Sequence, residues 1–152
     1  MRAGVRTFEA AAYLRRMGAD TVEVRKLFST SMEEYRSRTR IMSSTQIYRR
    51  CAVAGVAEPL DHVKLVAPQA ADELLNITDV DASFAIFEYE GGVSISARSM
   101  GAVNVQVIME KLGGGGHQTM AATQMSGITF DEAYKKLLAA IDEFYETRGK
   151  KQ

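Results

Sequence analysis

Gly113-Gly114-Gly115-Gly116-His117 lies between an apolar helical stripe and a strand-like segment, and that placement decides the fold. Upstream, Val105, Ile108, Met109 and Leu112 fall at i, i+3, i+4 and i+7, one face of an amphipathic helix that Asn104 can cap. Gly113 is then an ordinary helix stop. Downstream, residues 119–125 read as a strand. The order helix, glycines, strand is the reverse of the strand–loop–helix turn of the dinucleotide fingerprint. Gly116 is followed by His-Gln, not Lys-Ser/Thr, which removes the Walker pattern. A flexible linker would mix Gly with Ser between polar stretches, and this run does neither. Residues without Cβ allow positive φ and let a ligand approach bare amide N–H groups. His117 adds a donor that can charge near neutral pH. A phosphate or nucleotide pocket is the functional expectation; the plain alternative is that the glycines only turn the chain.

Working back from the run, residues 82–89 and 93–98 flank Gly91-Gly92, a two-residue hairpin signal. Val93, Ile95 and Ala97 share one face of the second strand; Ser94, Ser96 and Arg98 share the other. A turn centred on Gly91-Gly92 puts Phe87 opposite Ser96 and Ala85 opposite Arg98, leaving the guanidinium room to reach a ligand. Arg98 has a planar fork suited to phosphate oxygens, Ser96 and Ser99 have hydroxyls, and the glycine loop has amides. Together these are the components of an anion site. Taken singly, Arg98 can be a surface charge and Ser96 a solvated strand residue.

The remainder organises around this body. Residues 6–17 read as a helix stopped by Gly18, and Asp20-Thr21-Val22-Glu23 as a capping box opening a helix to Phe28. Ser31-Met32-Glu33-Glu34 repeats that signature before a helix to about residue 49. This helix has few apolar residues but carries Arg36, Arg38, Arg40, Arg49 and Arg50: a solvated connector, or a phosphate-facing arm. His62-Val63-Lys64-Leu65-Val66-Ala67 reads as a strand, and Pro68 as the first turn of a helix to Leu75. Thr129-Phe130-Asp131-Glu132 is a third capping box, with Asp131–Lys135 and Glu132–Lys136 pairs beyond it; the tail from Arg148 reads as frayed. The fold class is α/β: a mixed sheet of about five strands flanked by helices, after a helical arm. The arm takes residues 1–50 and the α/β body 51–152.

Composition narrows the function. Nineteen basic residues balance 19 acidic ones, so a basic nucleic-acid coat is absent, although a local patch is allowed. The single cysteine, Cys51, excludes an internal disulfide framework and fits a reducing, cytoplasmic setting; its apolar run makes it a packed thiol. No apolar stretch approaches the roughly 18–20 residues of a membrane span. His62 and His117 have no Cys, Asp or Glu at ligand spacing, so no metal is expected here. No nucleophile elbow exists. The abrupt helical start fits a piece of a longer protein.

Gly113–His117, with Ser94-Ile95-Ser96-Ala97-Arg98-Ser99 upstream, Asn104-Val105 next, and Ala121-Ala122 after, resembles the DHHA1 domain, the substrate-binding half of DHH-type phosphoesterases. The wording is most similar to the membrane-tethered bacterial cyclic-di-AMP phosphodiesterases. Arg6 to Asp20 looks like the closing helices of their DHH domain. The resemblance implies substrate binding by Ser96, Arg98, Ser99, Asn104, Gly113, Gly114, Gly115, Gly116 and His117. It implies no catalytic residue in this chain. Two divalent metals, usually manganese, would sit in an absent DHH domain, and the parent protein would be anchored in the cell membrane. Partners would be a cyclic dinucleotide or short oligonucleotide, the DHH catalytic domain, and in a homodimer a second copy. Alternatives within reach of the same residues are an oligoribonuclease or exonuclease fragment, and a non-catalytic nucleic-acid-binding module. The Arg-rich helix is the best support for the last.

Overall fold

The computed structural model describes residues 3–149. The chain divides into two units, residues 1–31 and 32–152. In the first, α1 (Val5–Arg16) and α2 (Thr21–Lys26) bury no residue. Gly18, at φ +97°, ends α1, with its N–H on Arg15 O and that of Ala19 on Leu14 O. The Asp20 carboxylate accepts from Val22 N at 2.8 Å, as its position predicts. Glu23 does not complete the box; it pairs with Lys26 at 2.6 Å.

The second unit runs α3 (Met32–Ser43), β1 (Gln46–Tyr48), β2 (Cys51–Val56), α4 (Val63–Leu74), β3 (Ala82–Tyr89), β4 (Gly92–Ser99), α5 (Val105–Glu110), β5 (Gly115–His117), β6 (Met120–Ser126) and α6 (Phe130–Gly149). The strands form one six-stranded mixed sheet, ordered β1-β2-β3-β4-β6-β5, where about five were expected. Only β2 and β3 pair in parallel, and α4 supplies the crossover that a parallel pair requires. Each face of the sheet has its own core. On one, Phe84, Ile86, Val93, Ile95 and Ala97 pack with Ile108 and Met109 of α5 and Leu137 and Ile141 of α6. On the other, Ala52, Ala54, Ala85 and Phe87 pack with Ile41 of α3 and Val66, Ala70 and Leu74 of α4. Full burial of a side chain such as Phe84 or Ile95 contributes roughly 1.5–3 kcal/mol relative to exposure.

Three local expectations are corrected. Residues 62–67 are not a strand: α4 begins at Val63, with Pro68 inside it. Val66, Ala67, Ala70, Ala71 and Leu74 form a helical burial stripe that runs straight through the proline, while Leu65 is exposed. A short apolar run cannot be told from helix by alternation alone, and here the stripe over the sheet outweighs the proline's missing donor. The helix expected to reach residue 49 stops at Ser43, and Gln46–Tyr48 becomes edge strand β1. Arg49 and Arg50, both at positive φ (47° and 60°), make the two-residue turn into β2. Arg49 is held by Asp142 of α6 and Arg50 by Asp81 at 2.8 Å, ties that offset the strain of left-handed arginines. Finally, the β3–β4 register pairs Phe87 with Ser94, Ala85 with Ser96 and Ser83 with Arg98. Glu90-Gly91 is the turn and Gly92 already pairs with Tyr89. The slip is two residues, so every side chain keeps its expected face.

The frayed tail expected from Arg148 falls largely outside the described residues; the backbone of α6 is helical to Gly149. Cys51 is fully buried with its Sγ 3.8 Å from Tyr145 Oη, and burial pushes the thiol up to about 11.

Candidate nucleotide-binding face

The glycine run has a split structure. Gly113, at φ +75°, caps α5: its N–H reaches Glu110 O and that of Gly114 reaches Met109 O, the Schellman pattern. These two amides therefore close the helix instead of facing a ligand. Gly115–His117 is edge strand β5, paired with β6. A Cβ on Gly114 would stand 2.2 Å from Ala122 O, and one on Gly116 2.5 Å from Ala121 Cα. Gly115 is different, because a Cβ there would meet nothing within 4 Å.

Register places the side chains. Ala52, Ser83, Arg98, Met120 and His117 form one row across five strands, all on the α4 face. Ala54, Ala85, Ser96, Ala122 and Gly115 form the next. On this face helix α4 covers β3 and β4 and α3 covers β2, and Ser83 Oγ donates to Ala71 O at 2.5 Å. Beyond the Arg98 column the cover stops: Met120, Ala122, Gln124 and His117 are exposed. The result is an open shelf with a floor of small residues, Gly115 and Ala122, edged by Met120 and His117 and backed by Arg98. Neighbouring strands lie about 4.8 Å apart, so the Arg98 and His117 backbones are about 10 Å apart. Both side chains are long enough to reach one phosphate from opposite sides.

Arg98 is less open than its expected neighbour implied. Its side chain is 14% exposed, with Nε donating to Asp72 Oδ1 of α4 at 3.1 Å and Nη1 to Ala97 O at 3.0 Å. Ser96 shares its face but is buried at the edge of α4.

Ser99 and Asn104 are not on the shelf. Ser99 points to the opposite face, where its Oγ accepts from Gly101 N at 2.9 Å. Asn104 Oδ1 caps α5 by accepting from Gln106 N at 3.1 Å. The backbones of Ser99 and of Val105, the residue after Asn104, nonetheless grip the β5–β6 hairpin tip: Ser99 N donates to Thr119 O and Val105 N to Gln118 O. They thus set where the hairpin, and with it His117, stands beside Arg98. A groove of about 510 Å³ opens on their side, between α5 and α6, lined by Asn104, Lys111, Gln118 and Phe144 among others. Lys111 and Glu143 pair across it, which leaves little unopposed charge for an anion.

Four of the five connector arginines have acidic partners. Arg38 lies 3.4 Å from Glu73 and 3.1 Å from Gln69, Arg40 pairs with Glu58, and Arg49 and Arg50 hold the β1–β2 turn. These pairings fit the solvated-connector reading of this segment better than the phosphate-facing arm. Among the described residues no group of three or more His, Cys, Asp or Glu could hold a metal ion. No described helix is long and apolar enough to cross a membrane.

Met120 and Asp72 escaped the sequence reading. Met120, Ala122 and Gln124 do alternate with buried Ala121 and Thr123. That pattern marks an open strand face but not what it serves.

Residues 51–147 match the DHHA1 domain family. The chain is 47% identical over 150 residues to the cyclic-di-AMP phosphodiesterase GdpP of Bacillus subtilis, covering 96% of the chain and 23% of that protein. It is 45% identical over 148 residues to the cyclic-di-AMP phosphodiesterase PdeA of Listeria monocytogenes, covering 96% and 22%. It thus spans less than a quarter of the length of these curated relatives. An exopolyphosphatase-related protein from Bacteroides fragilis shares the fold at TM-score 0.82 and 21% identity, over 93% of this chain and 44% of that one. The chain belongs to the DHHA1 domain family of DHH-type phosphoesterases, and among its relatives are the cyclic-di-AMP phosphodiesterases.

Proposed function

We propose that this chain is the substrate-binding part of a metal-dependent phosphodiesterase that hydrolyses cyclic di-AMP to a linear dinucleotide. The observation that carries the proposal is the open shelf: Arg98 and His117 stand in one row on either side of Met120, and the next row beside them is a floor of small residues, Gly115 and Ala122. A flat nucleotide can lie on such a floor while the two flanking groups bind phosphate. In this scheme a catalytic DHH domain elsewhere in the longer protein holds the metals, which would activate water for attack on the phosphodiester. Arg98 and His117 grip the phosphate that is not cut, or its adjacent ribose. The chain's own residues bind and orient; none of them is assigned a proton transfer.

Two measurements test this. In the longer enzyme, His117→Ala or Arg98→Ala raises KM or lowers kcat/KM about 10- to 100-fold, the loss of one charge-assisted hydrogen bond, with metal content unchanged. Loss of bound metal in His117→Ala would contradict the assignment. Binding of cyclic di-AMP also shows a shallow dependence on salt, since few phosphates are neutralised. A steep slope with long single-stranded nucleic acid would favour a polymer substrate instead.

A further inference from the structure

We propose that Asp72 of α4 is a positioning residue for phosphate recognition: its carboxylate orients the Arg98 guanidinium that meets the ligand. This rests on the substrate-binding reading above. Arg98 is, with Arg38, among the more buried of the paired arginines. Its side chain is 14% exposed and that of Arg38 20%, against 55% for both Arg40 and Arg50. Its guanidinium is tied to two elements at once. Nε donates to Asp72 Oδ1 at 3.1 Å across to α4, and Nη1 donates to Ala97 O at 3.0 Å on its own strand. Anchors on two different nitrogens fix the plane of a planar group, not merely its position. Neither bond uses Nη2, so the end of the fork can take a phosphate oxygen while Asp72 stays in place. Asp72 is itself 63% exposed, on the margin of the shelf, and so contributes little to the core. A carboxylate beside an anion site otherwise works against binding; its placement makes sense if ordering the arginine outweighs the repulsion.

The two effects have opposite signs, which makes the test decisive. Cyclic di-AMP is titrated into this chain at up to millimolar concentration, with NMR shifts read at the β5 and β6 amides and at the Arg98 Nε–Hε group. Asp72→Ala is expected to weaken binding roughly 3- to 10-fold, the cost of ordering one long side chain on binding. It should also broaden or shift the Arg98 Nε–Hε signal while leaving Tm unchanged. Asp72→Asn, which keeps an acceptor, should restore affinity to within about twofold of the parent and keep that signal. Tighter or unchanged binding by Asp72→Ala overturns the proposal, because it makes Asp72 a bystander charge. Arg98→Ala separates the two levels. If it binds like the parent, or if the parent itself shows no shifts, the substrate-binding reading fails. If Arg98→Ala binds weakly and Asp72→Ala does not, only the positioning role fails.

Discussion

A methyl group is enough to separate the glycines of the run by purpose. At Gly114 it would meet Ala122 O at 2.2 Å, and at Gly116, with φ +148°, it would meet Met120 O at 2.5 Å. Both neighbours are backbone and cannot yield. Gly114→Ala is therefore expected to cost about 2 kcal/mol or more in denaturant unfolding. At Gly115 the added carbon meets nothing, and its φ is not in the left-handed region. Gly115→Ala should change stability by no more than about 0.5 kcal/mol. Under the proposed function it should still weaken cyclic di-AMP binding, because the methyl rises from the shelf floor beside Ala122. Equal loss of stability in both variants would remove the distinction, and undiminished binding by Gly115→Ala would move the nucleotide elsewhere. The spacing of Gly to His gave the motif away at the sequence level. Which glycine is packed against backbone and which is left open depends on what faces each one across β6, and no local pattern records that.

Caps and turns account for most of what was legible among the elements. Thr129 and Glu132 form the full reciprocal box at the start of α6: Glu132 Oε2 accepts from Thr129 N at 3.0 Å and from its Oγ1 at 2.9 Å. The Thr129 backbone bond, then its hydroxyl, hold the Glu132 carboxyl below its ordinary value. A lowered folded-state value means stability present above the unfolded value and lost as pH falls through the folded one. Thr129→Ala should destabilise the chain by about 1 kcal/mol at neutral pH, with a smaller penalty once acid has protonated Glu132. A denaturant series at several pH values checks it; a penalty that does not shrink in acid would uncouple the pair. Elements failed where long-range packing overrode local signal. His62-Val63-Lys64-Leu65 alternates like a strand, but the sheet needed a helical crossover between β2 and β3. Arg49-Arg50 carries no turn residue, yet it turns the chain because Asp142 and Asp81 await the two guanidinia.

At the scale of the whole molecule, a sheet covered on both faces explains the behaviour of Cys51. Its thiol is pushed from an ordinary 9.0 up to about 11 by burial, the hydrogen bond to Tyr145 opposing only in part. The folded chain holds this proton more tightly than the unfolded one. Its contribution to stability is therefore intact below about pH 9 and lost as pH rises towards about 11. Cys51→Ala should show a flatter decline in stability over that window than the parent. Thiol reagents at pH 7 should label Cys51 only at the rate of unfolding. Rapid labelling of native protein would contradict its burial. Residues 32–152 contain both cores, whereas α1 and α2 bury nothing. A chain starting at residue 32 is expected to keep the Tm of the parent within a few degrees, measured by calorimetry.

The sequence by itself determined the α/β class, the β3–β4 hairpin, the caps at Asp20, Asn104 and Thr129, the packed thiol, and the Arg98 and His117 pairing of motifs. These follow from period, capping chemistry and spacing, which act over a few residues and are written in the chain. Only the tertiary structure decided that the glycines are half cap and half edge strand. The same is true of Ser99 and Val105, whose backbones brace the hairpin, of Asn104, which caps α5, and of Arg38, Arg40, Arg49 and Arg50, which are paired with carboxylates. It alone also set Asp72 against Arg98. Each of these depends on which residues lie opposite one another across the sheet or on α4, and those partners are distant in sequence. Register and helix docking, fixed by burial of the two cores, bring them together.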